Sequence, residues 1–167
     1  MPVQKKILSH AGGAQMKLDY FKLHELVPKD IIQSRGEAAI ELMDPRILYD
    51  LDTLRGSMRV PMTVNTVSRQ SRGLRTPSSQ YYSPTSQHTS GRAVDAVSRI
   101  KPEEFHYEIL TNPHWYASIS FLEIDITWLH IDCRYNADGS RIRCWSPSRG
   151  FVDPEAYLGE IKTKLRK

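Results

Sequence analysis

The stretch Ser86-Gln87-His88-Thr89-Ser90-Gly91-Arg92-Ala93-Val94-Asp95 places a histidine and an aspartate seven residues apart. A second histidine follows in Trp128-Leu129-His130-Ile131-Asp132. Two imidazoles and one carboxylate are a ligand set that holds a catalytic zinc ion and leaves one position open for water. The sequence therefore predicts a metal site made by His88, Asp95 and His130.

The local sequence around Asp95 agrees with a buried ligand. Residues 92–97 have the pattern of a strand, and Gly91 permits a tight turn or a close backbone approach just before it. Because Val94 and Ala96 flank Asp95, its carboxylate projects from an apolar strand, where burial is costly unless the group is paired or metal-bound. The alternative is a surface histidine and an aspartate that hydrogen-bonds a turn.

The segment around His130 alternates apolar and ionisable residues, which predicts a strand with one core face. The core face is Leu129, Ile131 and Cys133, and the other face is His130, Asp132 and Arg134. A single histidine in such a strand is more often a core or cleft residue than a metal ligand. Only its combination with the first motif favours a metal site.

The chain of 167 residues fits one domain, with 40% hydrophobic and 25% charged residues, as in an ordinary globular protein. Residues 1–20 have little periodicity, so we expect an N-terminal arm followed by a single domain over 21–167. The pattern predicts an α+β fold in which helices pack a small antiparallel sheet. The predicted helices begin at Asp44-Pro45, Pro102 and Asp153-Pro154, a short helix or extended segment covers 21–27, and strands lie within 60–67, 92–97 and 119–146.

The turn sequence Asn136-Ala137-Asp138-Gly139 predicts a final hairpin. In that hairpin Cys133 and Cys144 would lie nearly opposite each other on the core face. They could form a disulfide, but buried free thiols are the preferred interpretation, since no export signal is evident.

The net charge of +4 and the pI of about 9.1 favour anionic partners such as nucleic acid, an acidic membrane surface or the bacterial cell wall. Simple solubility explains the charge equally well. The basic residues are scattered, so no nucleic-acid partner is expected. No apolar run approaches the roughly 18 residues of a membrane span, and no secretory signal is visible, so we expect synthesis in the cytoplasm and no membrane insertion.

The two motifs together resemble the zinc D-Ala-D-Ala peptidase family, which shares its fold with the Hedgehog signalling domain. The family motif Ser-x-His-x-x-Gly-x-Ala-x-Asp is matched at Ser86, His88, Gly91, Ala93 and Asp95. A later Trp-x-His strand is matched by Trp128 and His130, and the preceding helix, strand, arginine and loop occur in family order. The resemblance covers roughly residues 20–135.

The resemblance implies a zinc peptidase that acts on peptidoglycan stem peptides, with His88, Asp95 and His130 as ligands. Arg75 matches the family arginine that binds a substrate carboxylate or polarises the scissile carbonyl, although Arg72 could serve instead. Ser86 and Gln87 would line the cleft or orient His88, and Trp128 belongs to the second motif. Asp132 would orient a ligand or pair with Arg134.

The general base is the main departure from the family pattern. Well-known members carry an acid three residues before the second histidine, where this chain has Thr127. Glu123 is the favoured substitute and Asp125 the second choice, because a bend near 124–127 would fold Glu123 back beside His130. If both acids are merely solvated, the site has no base.

The sequence leaves alternative functions open. A lysis or cell-wall enzyme of phage or bacterial origin agrees with the basic charge, and it would act after release or as part of a virion. A virion or tail protein could instead use the same fold with a non-catalytic metal site and bind other virion proteins. A cytoplasmic dipeptidase or amidase is a third possibility.

Overall fold

The computed structural model describes residues 16–166, in which five α-helices accompany one six-stranded sheet. The helices are α1 (Leu23–Leu26), α2 (Lys29–Arg35), α3 (Pro45–Met58), α4 (Pro102–Thr111) and α5 (Pro154–Leu165), with a 3-10 helix at Gly36–Leu42. The strands are β1 (Met62–Thr63), β2 (Ala93–Ser98), β3 (Phe121–Glu123), β4 (Leu129–Asp132), β5 (Arg143–Ser146) and β6 (Gly150–Val152). Their order across the sheet is β1-β2-β4-β3-β5-β6.

The sheet is mostly antiparallel and is packed by helices, which confirms the predicted α+β class. The expectation of a purely antiparallel sheet is wrong at one pairing, because β3 and β5 run parallel. Parallel neighbours need a crossover connection. Here the chain passes through β4 and the turn around Asn136 before it returns as β5 beside β3.

The two aspartate-proline starts confirm the predicted helix boundaries. The Asp44 carboxylate accepts a hydrogen bond from the Arg46 N–H at 3.0 Å, and Asp153 accepts from Glu155 at 3.0 Å, so each caps exposed N–H groups of its helix. The buried face of α3 is the predicted one, made by Ile47, Leu48, Leu51 and Leu54. On α5 the helical spacing of apolar residues continues to Leu165, but this residue lies in the last turn and is 44% exposed.

The core lies against one face of the sheet. Val94, Ile131, Leu122 and Cys144 lie side by side across β2, β4, β3 and β5, and all four are fully buried. Residues from α3, α4 and α5 join them in one hydrophobic cluster. This packing leaves the opposite face of the same strands for polar side chains.

The predicted final hairpin is wrong. Since β2 and β3 already occupy both edges of β4, β5 cannot pair with it, and β5 lies beside β3 instead. Cys133 and Cys144 are therefore not cross-strand neighbours. Both are buried free thiols, as preferred from the sequence, and burial raises the pKa of each to about 12.

Only Met62 and Thr63 of the predicted strand at 60–67 pair with the sheet. The strand ends there because Asn65 turns toward α1, where its N–H donates to the Glu25 carbonyl at 2.9 Å. Residues 29–42, left unassigned by sequence pattern, form α2 and the 3-10 helix.

Residues 1–15 of the predicted arm lie outside the described residues. The end of the arm contacts α3, because the N–H groups of Asp19 and Tyr20 both donate to the Asp52 carboxylate at 2.9 Å. Within 16–166, no helix is long and apolar enough to cross a membrane.

Candidate metal centre

The three predicted ligands converge on one buried site. The candidate ligand atoms of His88, Asp95 and His130 all lie within 4.8 Å of one another, and each residue is at most 8% exposed. His88 Nε2 lies 3.3 Å from Asp95 Oδ2, and His130 Nδ1 lies 2.7 Å from Asp95 Oδ1. A buried group of two imidazoles and a carboxylate could hold a metal ion.

Strand register places two of the ligands. Asp95 on β2 is the direct partner of His130 on β4, so their side chains leave the same face of the sheet as close neighbours. The alternation predicted for both strands therefore describes one shared polar face. It lies opposite the core face that contains Val94 and Ile131.

A loop brings in the third ligand. Gly91, three residues after His88, has a φ of 66°, and a Cβ there would lie 2.0 Å from the Leu42 carbonyl oxygen. The Gly91 carbonyl in turn accepts the Asp44 N–H at 2.8 Å, which ties the loop to the start of α3. The close approach predicted for this glycine is confirmed, and it fixes the loop from which His88 reaches the sheet.

The tautomer of His88 follows from its neighbour. His88 Nδ1 lies 2.9 Å from the Gly73 carbonyl oxygen, which can only accept, so Nδ1 carries the proton and Nε2 is left as an acceptor. Gly73 is required there, because a Cβ would lie 1.9 Å from the Leu26 carbonyl oxygen. Second-sphere hydrogen bonds of this kind orient histidine ligands.

His88 Nε2 is buried, and no donor reaches it from any residue between 16 and 166. Its nearest charged neighbour, Asp95 Oδ2 at 3.3 Å, is also an acceptor. Asp95 Oδ2 also accepts from Arg75, so the unmatched acceptor in this buried space is the lone pair of His88 Nε2. The donor set therefore fits a cation on chemical grounds.

His130 lies between two carboxylates. Its Nδ1 faces Asp95, and its Nε2 lies 3.2 Å from Oδ2 of Asp132, which is fully buried. Burial disfavours the imidazolium, but the hydrogen bonds to Asp132 and Asp95 outweigh it and raise the pKa of His130 to about 9 in the metal-free protein. Once Nε2–H donates to Asp132, Nδ1 is free to bind a metal.

Asp132 contacts both of the residues with which it was expected to interact, His130 and Arg134. It accepts hydrogen bonds from the backbone N–H and the guanidinium of Arg134, with Nε at 2.9 Å from Oδ1. The same carboxylate accepts a hydrogen bond from His130 Nε2. These hydrogen bonds and the nearby charges lower its pKa despite burial, so it stays ionised.

Arg75 lies beside the candidate ligands, as the resemblance predicted. Its Nη2 donates to Asp95 Oδ2 at 2.8 Å, while its Nε donates to the Ser71 carbonyl at 2.7 Å. Burial alone would raise the pKa of Asp95, but the hydrogen bond from His130 and the charge of that imidazolium lower it well below its usual range. Arg72 is placed differently: its guanidinium bonds the Val64 carbonyl at 3.4 Å and does not line the cleft.

The candidate ligands belong to a single row of side chains that crosses five strands. Successive cross-strand partners on this face, which we name the cleft row, are Asp95, His130, Glu123, Trp145 and Phe151. All five line one open cleft of about 480 Å³. Glu123 is thus the direct partner of His130, as the predicted bend requires.

Asp125, the second candidate base, does not line the cleft. It has a left-handed φ of 60° in the bend after β3, and its carboxylate accepts a hydrogen bond from Arg149 Nε at 2.8 Å. The structure therefore brings Glu123 to the candidate ligands and holds Asp125 in an ion pair away from them.

The remaining predicted site residues, Ser86, Gln87 and Trp128, line the same cleft. The Ser86 hydroxyl also accepts the His88 N–H at 3.3 Å, which supports the turn before the ligand. Sequence reasoning missed three aromatic residues of the cleft, Phe121, Trp145 and Phe151. No local motif marks them: Phe121 is placed by the antiparallel β3–β4 pairing, and Trp145 and Phe151 depend on the parallel β3–β5 pairing.

Comparisons with protein-family models, with curated proteins and with solved structures find no match to this chain. The site is therefore interpreted from its own residues and from the motif resemblance described above.

Proposed function

We propose that this protein is a zinc-dependent peptidase that hydrolyses peptide bonds in peptidoglycan stem peptides. One observation carries the proposal. An ionisable acid, Glu123, stands directly across from the candidate ligand His130 and faces the same cleft. A purely structural metal site has no need of an acid beside an open cleft.

Zinc is the metal that best suits the donor set. Two histidines and one carboxylate are typical of catalytic zinc, which keeps a further position open, whereas closed structural sites use four protein ligands. When bound, zinc supplies Lewis-acid chemistry that makes water nucleophilic near neutral pH and polarises a carbonyl group. His88, Asp95 and His130 would hold it.

Glu123 and Arg75 supply the remaining functions of the proposed reaction. Glu123 takes a proton from the attacking water and passes it to the leaving amine as the peptide bond breaks. Arg75 is anchored through Nε and Nη2, so its planar guanidinium is held beside the cleft to bind a substrate carboxylate or the scissile carbonyl. Asp132 keeps His130 in the orientation that binding requires.

The substrate class rests on the motif resemblance and on the charge. A net charge of +4 favours the anionic bacterial wall. The setting we propose is lysis or wall degradation by a protein of phage or bacterial origin, made in the cytoplasm and acting at the wall after release or as part of a virion.

The proposal is tested by measuring the zinc content of the purified protein and the release of new amines from purified peptidoglycan. We expect about one zinc per chain and amine release, both lost in His88→Ala and Asp95→Ala. His114→Ala is the matched control, because His114 is exposed and outside the cleft. No zinc in folded protein never exposed to chelator would overturn the proposal.

The second candidate is a virion or tail component with a non-catalytic metal site. One observation favours it: Thr127 stands where the resembled family has its acid. Zinc retained at full stoichiometry without amine release would support this candidate over the peptidase.

A further inference from the structure

The half of the cleft row beyond Glu123 has no part in the chemistry proposed so far. Trp145 and Phe151 follow Glu123 in the row, on β5 and on the edge strand β6. Phe151 is 61% exposed even though it faces the cleft, so its ring is not needed to fill the core. A large exposed aromatic side chain beside a catalytic group is a candidate contact for substrate.

The ring of Phe151 is nonetheless held in place. The Arg143 guanidinium lies 4.3 Å from its centroid, and Arg143 also pairs with Asp138 at 3.2 Å. A cation over the ring face restrains the side chain, so less conformational entropy is lost when a ligand packs against it. The Phe151 side of the cleft is therefore a preformed surface.

The cleft is asymmetric about the candidate metal ligands. On the β2 side it meets the loop that carries Arg75, Ser86 and His88, and this loop is bonded to the strand through the Asp95 N–H and the Arg72 carbonyl at 2.7 Å. On the β6 side it continues to the edge of the sheet. A substrate can therefore extend much farther over β3, β5 and β6 than toward the loop.

Strand spacing gives the length of that extension. Neighbouring strands lie about 4.8 Å apart, so the three steps from His130 to Phe151 span about 14 Å. An extended peptide covers about 3.3 Å per residue, so a chain that reaches Phe151 from the scissile bond needs about four residues on that side.

We propose that Trp145 and Phe151 form a remote subsite that packs against the substrate residue about four positions from the scissile bond, which is L-Ala in a stem peptide cut between its two D-Ala residues. This inference rests on the proposed peptidase function and sharpens it. The protein then prefers an extended peptide to a dipeptide, and the β6 side of the cleft sets that preference. Trp145 and Phe151 are specificity residues, since neither touches the reacting atoms.

The test compares two probes, the dipeptide D-Ala-D-Ala and the pentapeptide L-Ala-γ-D-Glu-L-Lys-D-Ala-D-Ala. The measured quantity is kcat/KM for the pentapeptide divided by kcat/KM for the dipeptide. For zinc-loaded protein, we expect Phe151→Ala to lower this ratio about tenfold. Tyr49→Ala is the matched control, because Tyr49 is an exposed aromatic residue on α3 outside the cleft, and it should leave this ratio unchanged.

A binding measurement separates the subsite from the chemistry. In the Glu123→Gln background, the Kd of the pentapeptide should rise about tenfold on Phe151→Ala. The subsite would be overturned, and the peptidase proposal left intact, by either of two results. One is an equal Kd with and without Phe151→Ala, and the other is an unchanged kcat/KM ratio in an active protein. Phe151-dependent binding of the pentapeptide without turnover of any peptide would overturn the peptidase proposal and keep the subsite.

Discussion

Two neighbouring rows of the same sheet differ by one residue on every strand and have opposite characters. The cleft row carries Asp95, His130, Glu123, Trp145 and Phe151, while the adjacent row, which we name the core row, carries Val94, Ile131, Leu122, Cys144 and Val152. The first row lines the open cleft, and the second joins the hydrophobic core. A slip of one residue in pairing would therefore exchange the candidate ligands Asp95 and His130 with core residues.

This difference shows how the core positions the site. The first four residues of the core row are fully buried, so moving any of them to solvent would cost about 1.5–3 kcal/mol. That cost fixes the register, and the register places Asp95, His130 and Glu123 side by side. The following predictions separate the two rows, beginning with the largest expected effect.

Replacing Glu123 should affect the chemistry without affecting the metal. We expect Glu123→Gln to reduce peptide hydrolysis by about 10²–10⁴-fold, because the acid can no longer accept a proton, while zinc content stays at the wild-type level. Rates of amine release and metal analysis on the same sample measure both quantities. Asp125→Asn should retain wild-type activity, since Asp125 pairs with Arg149 outside the cleft. The opposite result for the two variants would assign the base to Asp125.

Replacing the neighbour of Glu123 on the same strand should affect stability. Leu122 is fully buried in the core row, so Leu122→Ala should lower the free energy of unfolding by about 2–5 kcal/mol through lost burial and a cavity. Urea denaturation of the metal-free protein measures this change. Glu123→Ala is the matched control on the cleft face, and we expect a change of at most about 0.5 kcal/mol. Equal losses for both variants would contradict the separation of the two rows.

Two buried histidines extend the comparison from stability to pH. In the metal-free protein the carboxylates around His130 raise its pKa to about 9. His106 on α4 has the Tyr157 hydroxyl at 2.8 Å as its one hydrogen-bond partner among residues 16–166, and burial lowers its pKa to about 3. The folded state therefore favours neutral His106. The stabilisation that neutral His106 gives the folded state is complete above pH 6.5, which is about the pKa of histidine in the unfolded chain. This stabilisation is lost as the pH falls toward 3.

Because His106 gains a proton on unfolding, we expect the free energy of unfolding of the wild-type protein to fall by about 1.4 kcal/mol per pH unit below pH 6.5. The fall amounts to about 2 kcal/mol by pH 5. His106→Asn retains a polar partner for Tyr157 but has no proton to gain, so its stability should fall less steeply over the same range. Urea denaturation at pH 7, 6 and 5 measures both slopes. Identical slopes would show that His106 does not titrate with unfolding.

Local patterns predicted a large part of this structure. The Asp-Pro pairs at 44–45 and 153–154 mark helix starts because capping and the fixed φ of proline act within a few residues. The alternation along β2 and β4 identified the polar face, and the motif spacing identified His88, Asp95 and His130. The bend that brings Glu123 opposite His130 was also predictable, because it joins two adjacent antiparallel strands.

Nonlocal pairing accounts for most of the errors. The turn at 136–139 resembles a hairpin turn, yet β5 pairs with β3, because β4 already has a partner on each edge. The same pairing brings Trp145 and Phe151 into the cleft row. Leu165 follows the helical spacing of α5 but lies beyond the part of the helix that is buried. How far along α5 the buried face extends depends on the elements that pack against it.

The sequence by itself predicted the candidate ligands, two candidate acids near them and the starts of three helices, since each depends on residue chemistry within a short segment. Only the tertiary structure decided that these residues share one row with an aromatic surface, that His88 Nε2 is left without a donor from residues 16–166, and that Asp125 is held away from the cleft. The physical reason is that sheet order and side-chain burial arise from contacts between segments far apart in the chain. Local propensities do not encode them.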